Sequence, residues 1–166
     1  STLGTSASLT LSSSTTSPYD TISCTATATD GSGATDSASA SVSVGNTDPV
    51  VASVSISPTS GVKVTSTLTC SATATDADGG SPTITYAWTN GSSTLGTSAS
   101  LTLSSSTAAP SDTISCTATA TDADGGTDTG TDSVSVDNTA PVMSSVSISP
   151  STAYNDDTLT CSATAT

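Results

Sequence analysis

The sequence contains no Phe, His, Arg, Glu or Gln, and Lys63 is its only cationic side chain. Without His no Ser-His-Asp triad is available, and without Glu there is no glutamate for an acid and base pair. A Ser or Thr that lacks a neighbouring base is a poor nucleophile, however many such residues the chain carries. We therefore expect no enzymatic activity from this segment.

Positive charge is nearly missing as well, because all fourteen acidic residues are Asp and the formal net charge is -13. Such a surface repels nucleic acid and anionic lipid, since both are bound mainly through Lys and Arg. No stretch approaches the roughly 20 apolar residues of a membrane-spanning helix. We expect no nucleic-acid partner and no membrane span in this segment, whereas divalent cations would be attracted.

Ser and Thr are abundant and supply 74 of the 166 residues. They alternate with apolar residues, as around Leu68, Cys70 and Ala72, and again around Trp88 and Cys116. A period of two is typical of a strand with one apolar face. Short strands of this kind, separated by turns rich in Gly, Pro and Asp, predict an antiparallel β-sandwich.

The sequence repeats itself with an offset of 92 residues, so that 1–65 reappear at 93–157. That offset is the length of a small domain, and near-identical domains in succession form a tandem array. We expect an excerpt of a longer array, or a chain whose ends a neighbouring copy completes. The repeat divides the chain into the C-terminal part of one domain (1–48), a complete domain (49–137) and the N-terminal part of the next (138–166).

The predicted core is thin, because the chain has a single Trp and no Phe. Domains of this size with little apolar volume are often stabilised by disulfides, and the four cysteines allow three connectivities. Oxidised cysteines would place the protein outside the cytosol.

The order Cys70, Trp88, Cys116 resembles the cysteine, tryptophan, cysteine signature of immunoglobulin-like domains. Asp76 to Gly80, leading to Trp88, and Asn138 to Pro141 at the repeat junction are similar to immunoglobulin-like and PKD-type repeats of large bacterial and archaeal cell-surface proteins. The resemblance covers the whole chain and implies tandem immunoglobulin-like sandwiches of about 92 residues, one complete and two partial.

The resemblance also implies roles for the cysteines. Cys70 would lie on strand B, Trp88 on strand C and Cys116 on strand F, with a Cys70 to Cys116 disulfide packed against the indole. Cys24 and Cys161 occupy the same positions in the partial repeats. Their partners are expected outside this sequence or in a neighbouring copy.

A calcium site is the main candidate for a ligand. In an immunoglobulin-like fold, the loops that follow strands B and F would meet the incoming linker, as in the calcium-rigidified junctions of cadherin-like arrays. Carboxylate oxygens are the ligands that calcium prefers, although Asp-Gly is also a common turn pair. The candidate ligands are Asp48, Asp76, Asp78, Asp122 and Asp124.

A modification site is the second candidate. Asn90-Gly91-Ser92 is an N-glycosylation sequon. Such a three-residue pattern is also frequent by chance in a Ser-rich chain.

The favoured function is structural: a repeat of an extracellular stalk, filament or surface fibre, whose partners are neighbouring repeats or copies of itself. The alternative is an adhesin repeat that binds a surface glycan or protein. Exposed aromatic residues usually carry such recognition, and only Tyr19 and Tyr154 are available, at different places in the repeat. A third interpretation is a spacer beside a catalytic domain.

Overall fold

The computed structural model describes residues 1–166 and is entirely β, with eleven strands and no helix. The prediction of an all-β, antiparallel protein is confirmed. In chain order the strands are β1 (Thr21–Thr29), β2 (Thr35–Ser43), β3 (Val50–Ser57), β4 (Thr67–Thr75), β5 (Thr83–Asn90), β6 (Ser93–Gly96), β7 (Ser100–Thr102), β8 (Thr113–Thr121), β9 (Thr127–Ser135), β10 (Met143–Ser149) and β11 (Thr160–Ala165).

The middle of the chain folds into two facing sheets. One has the order β3-β4-β7 and the other β6-β5-β8-β9, and all pairings within them are antiparallel. The alternation of the sequence explains the packing, because every second residue of β8 is buried. The core between the sheets comprises Ile56, Val62, Leu68, Cys70, Trp88, Leu103, Ala108, Ile114, Cys116, Val134 and Val136.

Two aspartates of β9 connect the two sheets through hydrogen bonds to β3. Strand β3 pairs with β4 on one side, and on the other side its amides face β9. The Val51 amide donates to Asp128 Oδ2 and the Ile56 amide donates to Asp132 Oδ2, each over 2.8 Å. Both partners advance together along the chain, so β3 and β9 run parallel. The carboxylates thereby satisfy amides that a continuous ladder would otherwise pair.

Gly130 lies on the same strand, at a point where the sheets approach closely. A Cβ atom there would stand 2.7 Å from Val54 Cγ2 and 2.9 Å from Val51 Cγ1. Contacts this short are repulsive, so the absence of a side chain permits the approach.

Each end of the chain forms a separate two-stranded sheet. β1 pairs with β2, and β10 pairs with β11. Almost every residue of these four strands is exposed. Apolar faces that the middle sheets bury against each other are therefore open to solvent at both ends.

Candidate functional site

The first candidate feature is a covalent link between the two sheets. Cys70 on β4 and Cys116 on β8 form a disulfide with an S–S distance of 2.10 Å and a Cα–Cα distance of 6.4 Å. Trp88 lies directly opposite Cys116 in the β5–β8 pairing and is fully buried. Its indole N–H donates to the carbonyl oxygen of Ser98 over 2.8 Å. This is the cysteine pair that the resemblance implies.

Cys24 and Cys161 are free and exposed. The structure does not pair them with each other, so the partner of each thiol stays a prediction.

The second candidate feature is the junction between the first hairpin and the complete domain. Asn46 Nδ2 donates to Asp122 Oδ2 over 3.0 Å. The backbone amide of Thr47 donates to Asp78 Oδ2, and the Thr47 hydroxyl lies 3.3 Å from Asp78 Oδ1. The turns after β4 and β8 therefore hold the incoming linker with one carboxylate each.

Asp122 is the most heavily used acceptor of this junction. Its Oδ1 accepts the amides of Asp124, over 2.9 Å, and of Gly126, over 2.8 Å. The hydrogen bond from Asn46, together with these backbone amides, lowers the pKa of Asp122 below the ordinary Asp value, and desolvation opposes them only in part. Hydrogen bonds to the charged form thus keep this carboxylate ionised.

The space beside Gly126 is filled by polar atoms. A Cβ atom at Gly126 would collide with Asp48 Oδ1, Asp122 Oδ2 and Asn46 Nδ2. Asn46 Oδ1 is buried there and has no hydrogen-bond partner. The junction therefore brings two of the five predicted calcium ligands, Asp48 and Asp122, to one point.

The other predicted ligands are used differently. Asp78 accepts from Thr47, and Asp76 Oδ1 accepts the amide of Asp78 over 2.8 Å. No group of three or more His, Cys, Asp or Glu side chains lies close enough to hold one metal ion. In this arrangement the carboxylates act as hydrogen-bond acceptors that fix the linker, and calcium binding stays a prediction.

Asn90, the glycosylation candidate, is half-buried and contacts the loop before β8. Its Nδ2, the atom that a glycan would occupy, donates to Asp112 Oδ2 over 2.6 Å and to the Thr107 carbonyl over 3.1 Å. The amide of Ala109 and the side chain of Asn90 lower the pKa of Asp112. A glycan would have to replace these contacts, and glycosylation stays a prediction.

The contacts of Lys63 could not be predicted from the sequence. Its Nζ donates to the Asn138 carbonyl over 2.7 Å and lies 4.0 Å from Asp137 Oδ2. The only cationic side chain thereby connects the turn before β4 to the start of the second linker. Asp128, Asp132 and Gly130 were also missed, because nothing in the sequence distinguishes them from other Asp and Gly residues.

Other surface features give little support for a ligand pocket. Tyr19 and Tyr154 are well exposed but lie in different partial repeats. The structure also has no helix with the length and apolarity that a membrane span requires.

Comparison with protein-family models, with curated proteins and with solved structures finds no match.

Proposed function

We propose that the chain is a non-catalytic segment of an extracellular stalk, filament or surface fibre, built from tandem immunoglobulin-like domains stapled by disulfides. The observation that carries the proposal is the Cys70–Cys116 bond, which joins the two sheets around Trp88 in a domain that the sequence repeats.

The strand order supports an immunoglobulin-like type. In the order β3-β4-β7 and β6-β5-β8-β9, the strands correspond to A-B-E and C′-C-F-G of that fold. The cysteines then lie on B and F and Trp88 on C, as in the immunoglobulin signature. The parallel approach of β3 and β9 corresponds to the first and last strands.

The end hairpins support tandem repetition. Ile22 pairs with Val42 in β1–β2, as Ile114 pairs with Val134 in β8–β9. Asp30 Oδ1 accepts two turn amides, as Asp122 Oδ1 does 92 residues later. These local interactions of β8–β9 and its turn therefore recur in β1–β2, 92 residues earlier.

The disulfide suits a domain that carries tension. In an array, the pulling force acts on the domain at β3 and at β9. The bonded cysteines lie between these two strands in the sequence and are 46 residues apart. While the bond is intact, this loop cannot extend. In the chain-entropy model, closing such a loop also stabilises the fold by about 4 kcal/mol.

Single-molecule pulling tests the proposal. The Cys24→Ser/Cys161→Ser background removes both exposed thiols and keeps the buried bond. Reductant should lengthen the extension of the unfolded domain by roughly 160 Å, because 46 residues add up to about 3.6 Å each. Cys70→Ala/Cys116→Ala in the same background is the matched control and should give the long extension without reductant. Equal extensions before and after reduction would contradict the stapled stalk.

A further inference from the structure

We propose that Asn90-Gly91 is a deamidation site that the folded domain keeps unreactive through Asp112 and Thr107, and that conversion of Asn90 to an acid prevents the loop 104–112 from closing again. The inference concerns a covalent change within the complete domain. It does not rest on the proposed structural role.

Asn90 is the only Asn of the chain that Gly follows. Asn46 and Asn138 precede Thr, and Asn155 precedes Asp. Deamidation begins when the backbone nitrogen of the following residue attacks the side-chain carbonyl carbon of Asn and closes a five-membered ring. A side chain on that following residue hinders the attack, whereas Gly has no Cβ atom and lets the groups approach closely. We therefore expect Asn90 to be the most reactive Asn of the unfolded chain.

The attacking nitrogen, that of Gly91, is accessible in the fold. Gly91 is exposed and lies in the two-residue turn between β5 and β6, with a φ of +56°. Its amide donates no hydrogen bond to another group of the protein. Apart from its chain neighbours, no heavy atom lies within 4 Å of the place where a Cβ atom would stand. Neither a hydrogen bond nor a nearby side chain therefore restrains this nitrogen.

The carboxamide of Asn90 is held, in contrast, by the loop 104–112. Nδ2 donates to Asp112 Oδ2 over 2.6 Å and to the Thr107 carbonyl oxygen over 3.1 Å, so both N–H groups of the amide are used. Asn90 is also the last residue of β5, and strand pairing fixes its backbone. Ring closure needs the carboxamide to turn toward the main chain, and this rotation would break both hydrogen bonds. The closed loop therefore slows the attack.

Asp112 also lacks the proton that the reaction needs. The leaving nitrogen departs as ammonia only after it gains a proton, which a neighbouring acid can supply. The hydrogen bond from the Ala109 amide and that from Asn90 lower the pKa of Asp112, so its carboxyl group is ionised. In the closed loop Asp112 therefore accepts hydrogen bonds and cannot act as the acid.

The loop 104–112 is a place where the domain can open locally. Most of its residues are exposed, and only Ala108 is buried. The Ser111 amide connects the loop to the rest of the domain by donating to the Val136 carbonyl oxygen over 2.7 Å. Segments with few buried contacts open more often than the core. Each opening frees the carboxamide of Asn90 to turn toward Gly91.

The reaction needs water and no other reagent. The Gly91 nitrogen forms a bond to Asn90 Cγ and loses its proton to solvent, while the Cγ–Nδ2 bond breaks and ammonia departs. Water then opens the resulting succinimide at either of its two carbonyl carbons, which gives aspartate or isoaspartate at position 90. Nothing is oxidised or reduced, and a carboxylate replaces the amide.

The product cannot restore the closed loop. A carboxylate at position 90 has no hydrogen atom to donate, and it would face the Asp112 carboxylate and the Thr107 carbonyl oxygen. These three acceptors have no donor between them, and the two charged ones repel each other at hydrogen-bond distance. An isoaspartate also adds a methylene group to the backbone at the end of β5. A reversible opening thereby becomes a permanent one.

The rate of deamidation tests the site. The full chain is kept at mildly alkaline pH, either folded or unfolded in guanidinium chloride, and cleavage before Asp followed by mass spectrometry gives the conversion at each Asn. In the unfolded chain Asn90 should react at least about tenfold faster than Asn46 and Asn138. Folding should slow Asn90 about tenfold or more, the scale expected for a hydrogen bond to a charged group. Equal rates at Asn90 in the folded and the unfolded chain, or an unfolded rate no faster than that of Asn46, would overturn the inference.

Two variants test the role of Asp112 in the folded chain. Asp112→Ala should raise the rate at Asn90 about tenfold, because the carboxamide loses its charged acceptor. Asp112→Asn keeps an acceptor oxygen and should raise the rate less. Asp124→Ala, which removes the same charge from an exposed side chain, is the matched control and should leave the rate unchanged. Trp88 fluorescence checks that each variant is folded, and an unchanged rate in a folded Asp112→Ala chain would contradict the protection. If that variant does not fold, Asp112→Asn and the comparison of folded with unfolded chain decide the question.

Hydrogen exchange tests the effect of the product. Asn90→Asp imitates the aspartate product and should speed exchange of the Ser111 amide, which donates to Val136, about tenfold. Asn138→Asp adds the same charge elsewhere and is the matched control. Asn90→Asp combined with Asp112→Asn exchanges donor and acceptor and should restore slow exchange. Exchange at Ser111 that is equally slow in Asn90→Asp and in the unmodified chain would show that conversion of Asn90 does not open the loop.

Discussion

Asn46 and Asp122 are 76 residues apart in sequence, yet the amide of one donates to the carboxylate of the other over 3.0 Å. The bond connects the linker before β3 to the turn after β8. Together with Thr47 and Asp78 it makes the entry to the complete domain a fixed junction instead of a free tether.

Asn46→Ala should raise the pKa of Asp122 toward the ordinary Asp value of about 3.9, because the bond from Asn46 is the largest cause of its depression. Because the pKa of Asp122 is depressed in the folded state, its ionised carboxylate stabilises the junction at pH values above the ordinary Asp pKa. This stabilisation is lost as the pH falls through the folded-state pKa. NMR titration of the Asp122 carboxyl measures the pKa in both proteins, and urea unfolding at several pH values measures the stabilisation.

The matched control is Asn138→Ala, which changes the equivalent linker residue but keeps the backbone carbonyl that accepts from Lys63. The Asp122 titration should not change in this variant. An unchanged Asp122 pKa in Asn46→Ala would show that the amide does not hold the carboxylate.

Asp132→Ala should destabilise the complete domain by about 1–3 kcal/mol, because it leaves the buried amide of Ile56 without its acceptor. Urea unfolding followed through Trp88 measures the loss, and faster hydrogen exchange at the Ile56 amide locates it. Asp124→Ala removes the same charge from an exposed side chain without a hydrogen bond, and should change stability by less than about 0.5 kcal/mol. Equal effects of the two variants would indicate a general charge effect.

Gly130→Ala should cost about 1–3 kcal/mol, because the new methyl group meets two β-branched valines at a place where both strands are held. Gly96→Ala is the control, since its Cβ would lie 3.5 Å from Leu101 Cδ1, an ordinary contact. If thermal unfolding shifts equally in both variants, the close approach of the sheets is not what excludes a side chain at Gly130.

Calcium binding by Asp48, Asp76, Asp78, Asp122 and Asp124 remains a prediction of the sequence. If these residues bind calcium, the ion should stiffen the junction between the first hairpin and the complete domain. Chelation should then make this junction more flexible without unfolding the domain. Small-angle scattering in calcium and in chelator measures this, with Asp122→Asn as the variant that should abolish the difference. Identical scattering profiles of the unmodified chain in calcium and in chelator would contradict calcium binding and leave these residues with only their hydrogen bonds at the junction.

Much of the fold could be predicted because the relevant signals are local. The alternation around Cys70 and Cys116 specifies strands with one apolar face, and the 92-residue offset specifies repetition. The disulfide partner came from the resemblance to a signature that includes Trp88. Each of these patterns lies within short stretches of chain or in their repetition.

The roles of individual aspartates could not be predicted in this way. Asp128 and Asp132 look like ordinary turn or surface residues, and only the approach of β3 brings unpaired amides to them. The sequence groups Asp76 and Asp122 with the other candidate calcium ligands, because the two loops are predicted to converge. The structure shows that each first satisfies the amides of its own turn.

The sequence by itself determined the class, the strand positions and the repetition, because side-chain periodicity and turn residues act over a few positions. Only the tertiary structure decided which carboxylate accepts from which amide, why no side chain fits at Gly130 and which apolar faces are exposed to solvent. These depend on the distance between segments roughly 75 residues apart, and that distance is set when the two sheets pack.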